Sequence, residues 1–128
     1  MTSRILIAED EPFIVESLRF LLSHEGYEVD AVGDGEEALA AVLRQLPDLL
    51  ILDAMIPSTS GFEVLAKLRA APRSRSLPVL VLTAKGQAVD RQRMMDLGAD
   101  DFMTKPYSNK DLIERVQQLL KQARPVRL

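Results

Sequence analysis

The chain contains no cysteine and a single histidine, His24. The first absence excludes disulfides and thiolate metal sites, and the second excludes a histidine cluster. No apolar run approaches the roughly 20 residues that a helix needs to cross a bilayer. Positive charge is not in excess either: the formal net charge is −3 and the pI is near 5.2. Binding to a phosphate backbone requires clustered Lys and Arg, so direct nucleic-acid binding by this domain is not expected. A glycine-rich phosphate loop of the nucleotide-binding kind is also missing. There is no low-complexity tract, no interdomain linker and no second domain. Met1-Thr2-Ser3-Arg4 leads directly into a strand-like run where a secreted protein would carry a signal peptide. The expectation is one cytoplasmic domain with no membrane segment.

What is present is ordinary globular material, 128 residues with 47% hydrophobic and 27% charged content, enough for one proper core. Its organising stretch is Leu49-Leu50-Ile51-Leu52-Asp53, followed by Met55, Pro57 and a turn through Gly61. A short continuous apolar run reads as a strand covered on both faces. Asp53 stands where that strand ends, and packing gives an acid no reason to be there.

The same pattern recurs. Ile5-Leu6-Ile7-Ala8 is a strand running into Glu9-Asp10-Glu11. Pro12 then opens a helix with Ile14, Leu18, Leu21 and Leu22 at helical spacing, which Gly26 stops. Tyr27 to Val32 is a second strand. Asp34, with Glu37 three residues on, caps a helix whose stripe is Ala38, Leu39, Val42, Leu43 and Leu46, ended by Pro47. After Asp53, Ser60 and Glu63 form a capping box opening a helix with Phe62, Leu65 and Leu68 inward, closed near Ala71-Pro72. Arg73-Ser74-Arg75-Ser76 reads as a polar surface loop. Pro78 to Thr83 is a buried strand ending in a hydroxyl. Gly86 to Leu97 predicts a fourth helix with a thin apolar face, only Val89, Met94, Met95 and Leu97. Phe102-Met103-Thr104 is a short strand ending in Lys105-Pro106. Ser108 caps a last amphipathic helix with Leu112, Ile113, Val116, Leu119 and Leu120, ended at Arg124-Pro125. His24 reads as a solvated surface residue, and Met94 and Met95 as packing.

Five strands alternating with five helices predict a parallel, doubly wound α/β sheet with right-handed crossovers. In such a sheet every strand's C-terminal end lies on one edge, where chemistry collects. That edge gathers Glu9 and Asp10, Asp53, Thr83 and Lys105. Each alone has a bland explanation: helix-dipole charge, a capped turn, a strand-end threonine, a turn lysine. Together, three acids repel unless something neutralises them. Hard oxygen ligands without His or Cys favour Mg2+ or Mn2+ over Zn2+. A carboxylate beside such an ion can act as a nucleophile toward phosphorus. Lys105 and Thr83 would then meet the phosphoryl oxygens, since this chemistry needs positioning and charge neutralisation above all.

With those residues in place the chain resembles a bacterial response-regulator receiver domain. The likeness rests on Ile5 to Glu11, on Asp53 with Pro57 and Gly61, on Thr83-Ala84, and on Gly98-Ala99-Asp100-Asp101-Phe102 through Lys105-Pro106. It implies a flavodoxin-like (βα)5 fold with strand order 2-1-3-4-5, a receiver over residues 1–124 and a tail at 125–128. It implies that Asp53 is the phosphoacceptor from the phosphohistidine of a sensor histidine kinase or phosphotransfer protein. Mg2+, with Mn2+ as a substitute, would be held by Asp10, Asp53 and the Met55 backbone carbonyl, with Glu9 acting through water. Glu9 stands where Asp is common. Lys105, expected before a cis bond to Pro106, would pair with the phosphoryl group. Thr83 and Phe102 would form the switch, Phe102 standing where Tyr is common. Met55 and Lys85 would tune phosphoryl lifetime. The fourth-helix/fifth-strand/fifth-helix face would signal to an output domain or partner protein. Arg91, Asp101, Asp111 and Arg115 resemble the phosphorylation-dependent homodimer face of receivers from winged-helix transcription factors; a mixed solvated surface is the equal alternative. The other functions weighed are a stand-alone or pseudo-receiver interaction module, and a haloacid-dehalogenase-like phosphatase, whose Asp-x-Asp and cap domain are not found.

Overall fold

The computed structural model describes residues 2–84 and 88–122. The elements alternate without exception: β1 (Arg4–Ala8), α1 (Pro12–His24), β2 (Glu28–Val32), α2 (Gly35–Arg44), β3 (Leu49–Asp53), α3 (Gly61–Ala70), β4 (Val79–Ala84), α4 (Ala88–Asp96), β5 (Asp101–Lys105) and α5 (Asn109–Gln122). All neighbouring strands are parallel, in the order β2-β1-β3-β4-β5. The flavodoxin-like order expected from the sequence is the order found.

Central position explains composition. β3 is buried at every residue, because β1 and β4 flank it and helices cover both faces. Its side chains alternate between two cores. Leu50 and Leu52 join Leu6, Val79 and Val81 under α2, α3 and α4, against Ala38, Val42, Leu65, Leu68 and Met94. Leu49 and Ile51 join Ile5, Ile7, Leu80 and Leu82 under α1 and α5, against Leu18, Leu22, Leu112 and Val116. β2, at the edge, has no fully buried residue.

Helix ends follow the polar signals. Pro12 begins α1, and Gly26 closes the chain reversal after it in the left-handed region at φ 95°. The Asp34 side chain accepts from the Glu37 amide at 2.8 Å. Ser60 and Glu63 form the reciprocal capping box. Ser108 accepts from the Asp111 amide at 3.0 Å.

Some expectations are corrected. α2 stops at Arg44, three residues before Pro47, with Gln45 already extended. Leu46 therefore sits in a loop and Leu43 is 60% exposed. Leu43 lies a full 100° of helical turn past Val42, off the stripe that faces the sheet. Ser74 is buried, because its hydroxyl donates to the Leu68 carbonyl at 2.7 Å at the end of α3. Met94 is core, while Met95 is partly exposed at 38%. Met1, Lys85, the Gly86 start of the fourth helix, the Arg124-Pro125 stop and the 125–128 tail lie outside the described residues. Among the described residues no helix is long and apolar enough to cross a membrane.

Candidate functional site

The register brings the predicted residues level. Ala8 pairs with Leu52, Asp53 with Leu82, and Thr83 with Thr104. β1 continues one step past Ala8, where the Glu9 amide donates to the Val32 carbonyl at 3.1 Å. Glu9 and Asp10 therefore leave the sheet edge beside Asp53. Carboxylate oxygens of Glu9, Asp10 and Asp53 all lie within 4.8 Å of one another. Glu9 is 2% exposed and Asp53 6%, whereas Asp10 faces solvent.

Lys105, at the end of β5, is the ammonium facing these acids. Its Nζ lies 3.1 Å from Glu9 Oε1 and 3.7 Å from Asp53 Oδ2. The remaining oxygens take backbone donors: Met55 N donates to Asp53 Oδ1 at 3.0 Å, and Glu11 N to Glu9 Oε2 at 3.1 Å. Burial pushes the Glu9 carboxyl above its ordinary pKa. The Glu11 amide pulls it back, the Asp53 charge raises it again, and Lys105 lowers it, leaving a net rise. Glu9 thus makes a direct ion pair with Lys105.

Thr83 is buried at the end of β4, and Phe102 is buried on β5 beneath Arg91, whose Cζ lies 6.0 Å from the ring centroid. The Lys105–Pro106 bond is cis. Met55 is 67% exposed, on the turn just past Asp53. Of the charged surface quartet, Arg115 and Asp101 pair within the chain at 3.0 Å, and Arg115 also donates to the Phe102 carbonyl at 3.1 Å. Arg91 and Asp111 are exposed. Tyr107, two residues past Lys105, was not anticipated. Its hydroxyl pKa is raised by burial and then by the Glu9 charge. A lone tyrosine after a turn carries no sequence signal of this.

Chemically, three carboxylates face one ammonium on the rim of a rigid sheet. The donors are all oxygen, two of the three acids are desolvated, and one side is open to solvent. That set suits a hard divalent cation.

An open α/β sheet in this strand order, with its acids and lysine gathered on the C-terminal edge, defines a CheY-like signalling fold. Residues 5–117 match the response regulator receiver domain, and the chain belongs to that family. It is 42% identical over 125 residues to the phosphate regulon transcriptional regulatory protein PhoB of Rhizobium meliloti, covering 98% of this chain and 55% of that protein. It is 46% identical over 121 residues to the sensory transduction protein RegX3 of Mycolicibacterium smegmatis, covering 94% and 51%. The chain thus spans about half the length of the curated relatives it matches. Among solved structures, the receiver domain of a signal transduction histidine kinase from Syntrophus aciditrophicus superposes with a TM-score of 0.91 at 34% identity, over 98% of this chain and 96% of that one. The receiver domain of a sensor histidine kinase from Pseudomonas aeruginosa PAO1 gives 0.87 at 28% identity, over 94% and 99%; that structure has a magnesium ion coordinated in its active-site cleft.

Proposed function

We propose that this receiver domain takes a phosphoryl group onto Asp53 from the phosphohistidine of a sensor histidine kinase or phosphotransfer protein, and relays the change to an output domain or partner. The observation that carries this is the buried Asp53 carboxylate, flanked by Lys105 at 3.7 Å and by Glu9 and Asp10 within 4.8 Å. Asp10, Asp53 and the Met55 carbonyl would hold Mg2+, or Mn2+ in its place, with Glu9 supporting the site. When bound, the ion would supply charge neutralisation for an incoming phosphoryl group.

An Asp53 carboxylate oxygen forms the bond to phosphorus while the phosphorus–nitrogen bond of the donor breaks, its electron pair returning to the imidazole. Lys105 leaves Glu9 to meet a phosphoryl oxygen, and the Thr83 hydroxyl donates to another. Phe102 follows Thr83, and α4, β5 and α5 carry the change outward. For the donor's approach, Phe13 stands exposed on the first turn of α1, three residues past Asp10. Relatives named as transcriptional regulators support a transcriptional output.

Asp53→Asn should abolish acid-labile phosphate incorporation from acetyl phosphate with Mg2+; retained labelling would move the acceptor elsewhere. Steady turnover of a small phosphate ester would instead favour a phosphatase. A pseudo-receiver would lack the Asp53 and Lys105 pair found together here. The surface of Arg91, Asp101, Asp111 and Arg115 joins two phosphorylated copies, with Arg115 and Asp101 exchanging their internal pairing. Sedimentation with a beryllofluoride phosphoryl mimic reads this, and an unchanged monomer at high concentration would sink it.

A further inference from the structure

The turn that follows Asp53 does not stand alone; it leans on the start of α2. The Gly35 amide donates to the Pro57 carbonyl at 3.0 Å, and the Glu36 amide to Ser58 Oγ at 3.3 Å. Glu37 is capped by Asp34. Two of the orphan amides in the first turn of α2 are therefore satisfied by the post-Asp53 turn itself. The approach is closer than any side chain allows: a Cβ on Gly35 would fall 1.8 Å from the Thr59 carbonyl oxygen and 2.7 Å from its carbon. Gly35 has no positive φ, so close approach is the reason for glycine here, and the obstruction is backbone that no rotamer can relieve. The far end of the turn is held in the same way. The Gly61 amide donates to the Ala54 carbonyl at 3.1 Å, and a Cβ there would lie 2.8 Å from Ala54 Cα. Between these clamps Ala54 and Ile56 are buried, and Ser58 is forced to φ 66°. Within the segment the Met55 side chain is exposed at the rim beside the carboxylates, while its amide donates to Asp53 Oδ1.

We propose that Gly35 is a positioning residue for the cation site: by admitting the 57–59 backbone against α2, it fixes the Met55 main chain beside Asp53. This rests on the assignment of the Met55 carbonyl as a cation ligand made above. Gly35 touches none of the reacting groups and acts only through Pro57, Ser58 and Thr59. Nothing else in its position demands glycine. Gly33, two residues earlier, makes the contrast, since a Cβ there meets nothing within 4 Å.

The test uses the domain with Gly35→Ala and Gly33→Ala, read by amide exchange without metal and by an NMR titration with MgCl2. In Gly35→Ala the Met55 and Ile56 amides should exchange faster while the β1 and β3 amides keep their protection. Mg2+ affinity should fall by about tenfold, the scale seen when a group that orients a metal ligand is lost. Gly33→Ala should match the wild type in both. A folded Gly35→Ala with wild-type exchange at Met55 and Ile56, or with wild-type Mg2+ affinity, overturns the proposal. Should Gly35→Ala not fold, Ser58→Ala removes the acceptor shared by the Glu36 and Thr59 amides, loosening the same contact between the turn and α2, and carries the same expected and overturning results. A wild-type domain that binds no Mg2+ would overturn the cation assignment, and with it this role for Gly35, whereas binding that Gly35→Ala leaves intact overturns the role alone.

Discussion

Glu9 is the charged side chain buried most deeply at the site. Its carboxyl is raised above the ordinary value of 4.5, chiefly by burial. A raised carboxyl means that the folded state binds this proton more tightly than the unfolded chain. Its contribution to stability is therefore full below 4.5 and is lost as pH rises through the raised folded value. In metal-free buffer Glu9→Gln should be more stable than wild type at neutral pH, with the gap closing as pH falls toward 4.5. Urea denaturation at a series of pH values reads both trends. A variant weaker at neutral pH would show that the Lys105 ion pair outweighs desolvation. Lys105→Ala should still bind Mg2+ yet switch poorly, and normal activation by beryllofluoride in that variant would contradict the role given to the ammonium. These acids were readable in the sequence because packing cannot explain a carboxylate at the end of an apolar strand. The Glu9–Lys105 bond was not, since it joins residues 96 positions apart and depends on how the two side chains are oriented at the sheet edge.

At the scale of elements, the strands and the capped helices were legible and the facing of their surfaces less so. β3 and β4 announced themselves as unbroken apolar runs because two cores claim alternate residues. In α2 apolar identity suggested a stripe too wide by Leu43 and too long by Leu46; hydrophobic spacing cannot tell a residue at the margin of a face from one past it. α4 looked weak because its arginines counted only as polar. In the structure Arg93 lies over the Phe62 ring with Cζ 4.0 Å from the centroid, and Arg91 sits over Phe102. Arginine stems and guanidinium faces cover apolar surface that a residue count assigns to solvent. With Met94 as its fully buried anchor, α4 is held in part by these stacked cations. Arg93→Ala should cost on the order of 1 kcal/mol, confined to α4 and seen as faster amide exchange there while β1 and β3 keep their protection. An equal loss across the central sheet would mean that α4 does not open as a separate unit.

For the molecule as a whole, topology does the gathering. Parallel strands put every C-terminal end on one edge, so alternation of strands and helices was enough to say which residues would meet, and family likeness supplied the strand order. The fold also carries a cost, because it concentrates three carboxylates where one lysine faces them. A divalent cation bound only by the folded chain relieves that repulsion and stabilises by mass action, about 2.7 kcal/mol at a hundred times the dissociation constant. For a domain of this size each kcal/mol moves the midpoint by roughly 3–5 °C. Thermal unfolding should therefore shift upward by several degrees as MgCl2 is raised at constant ionic strength. The shift should be nearly abolished in Asp53→Asn and weakened in Asp10→Asn, since each removes a charged oxygen donor. In a separate NaCl titration both variants should keep the small rise that screening of like charges produces. If Asp53→Asn kept the full Mg2+ response, the ion would be bound away from Asp53, and the three acids at the sheet edge would need another explanation.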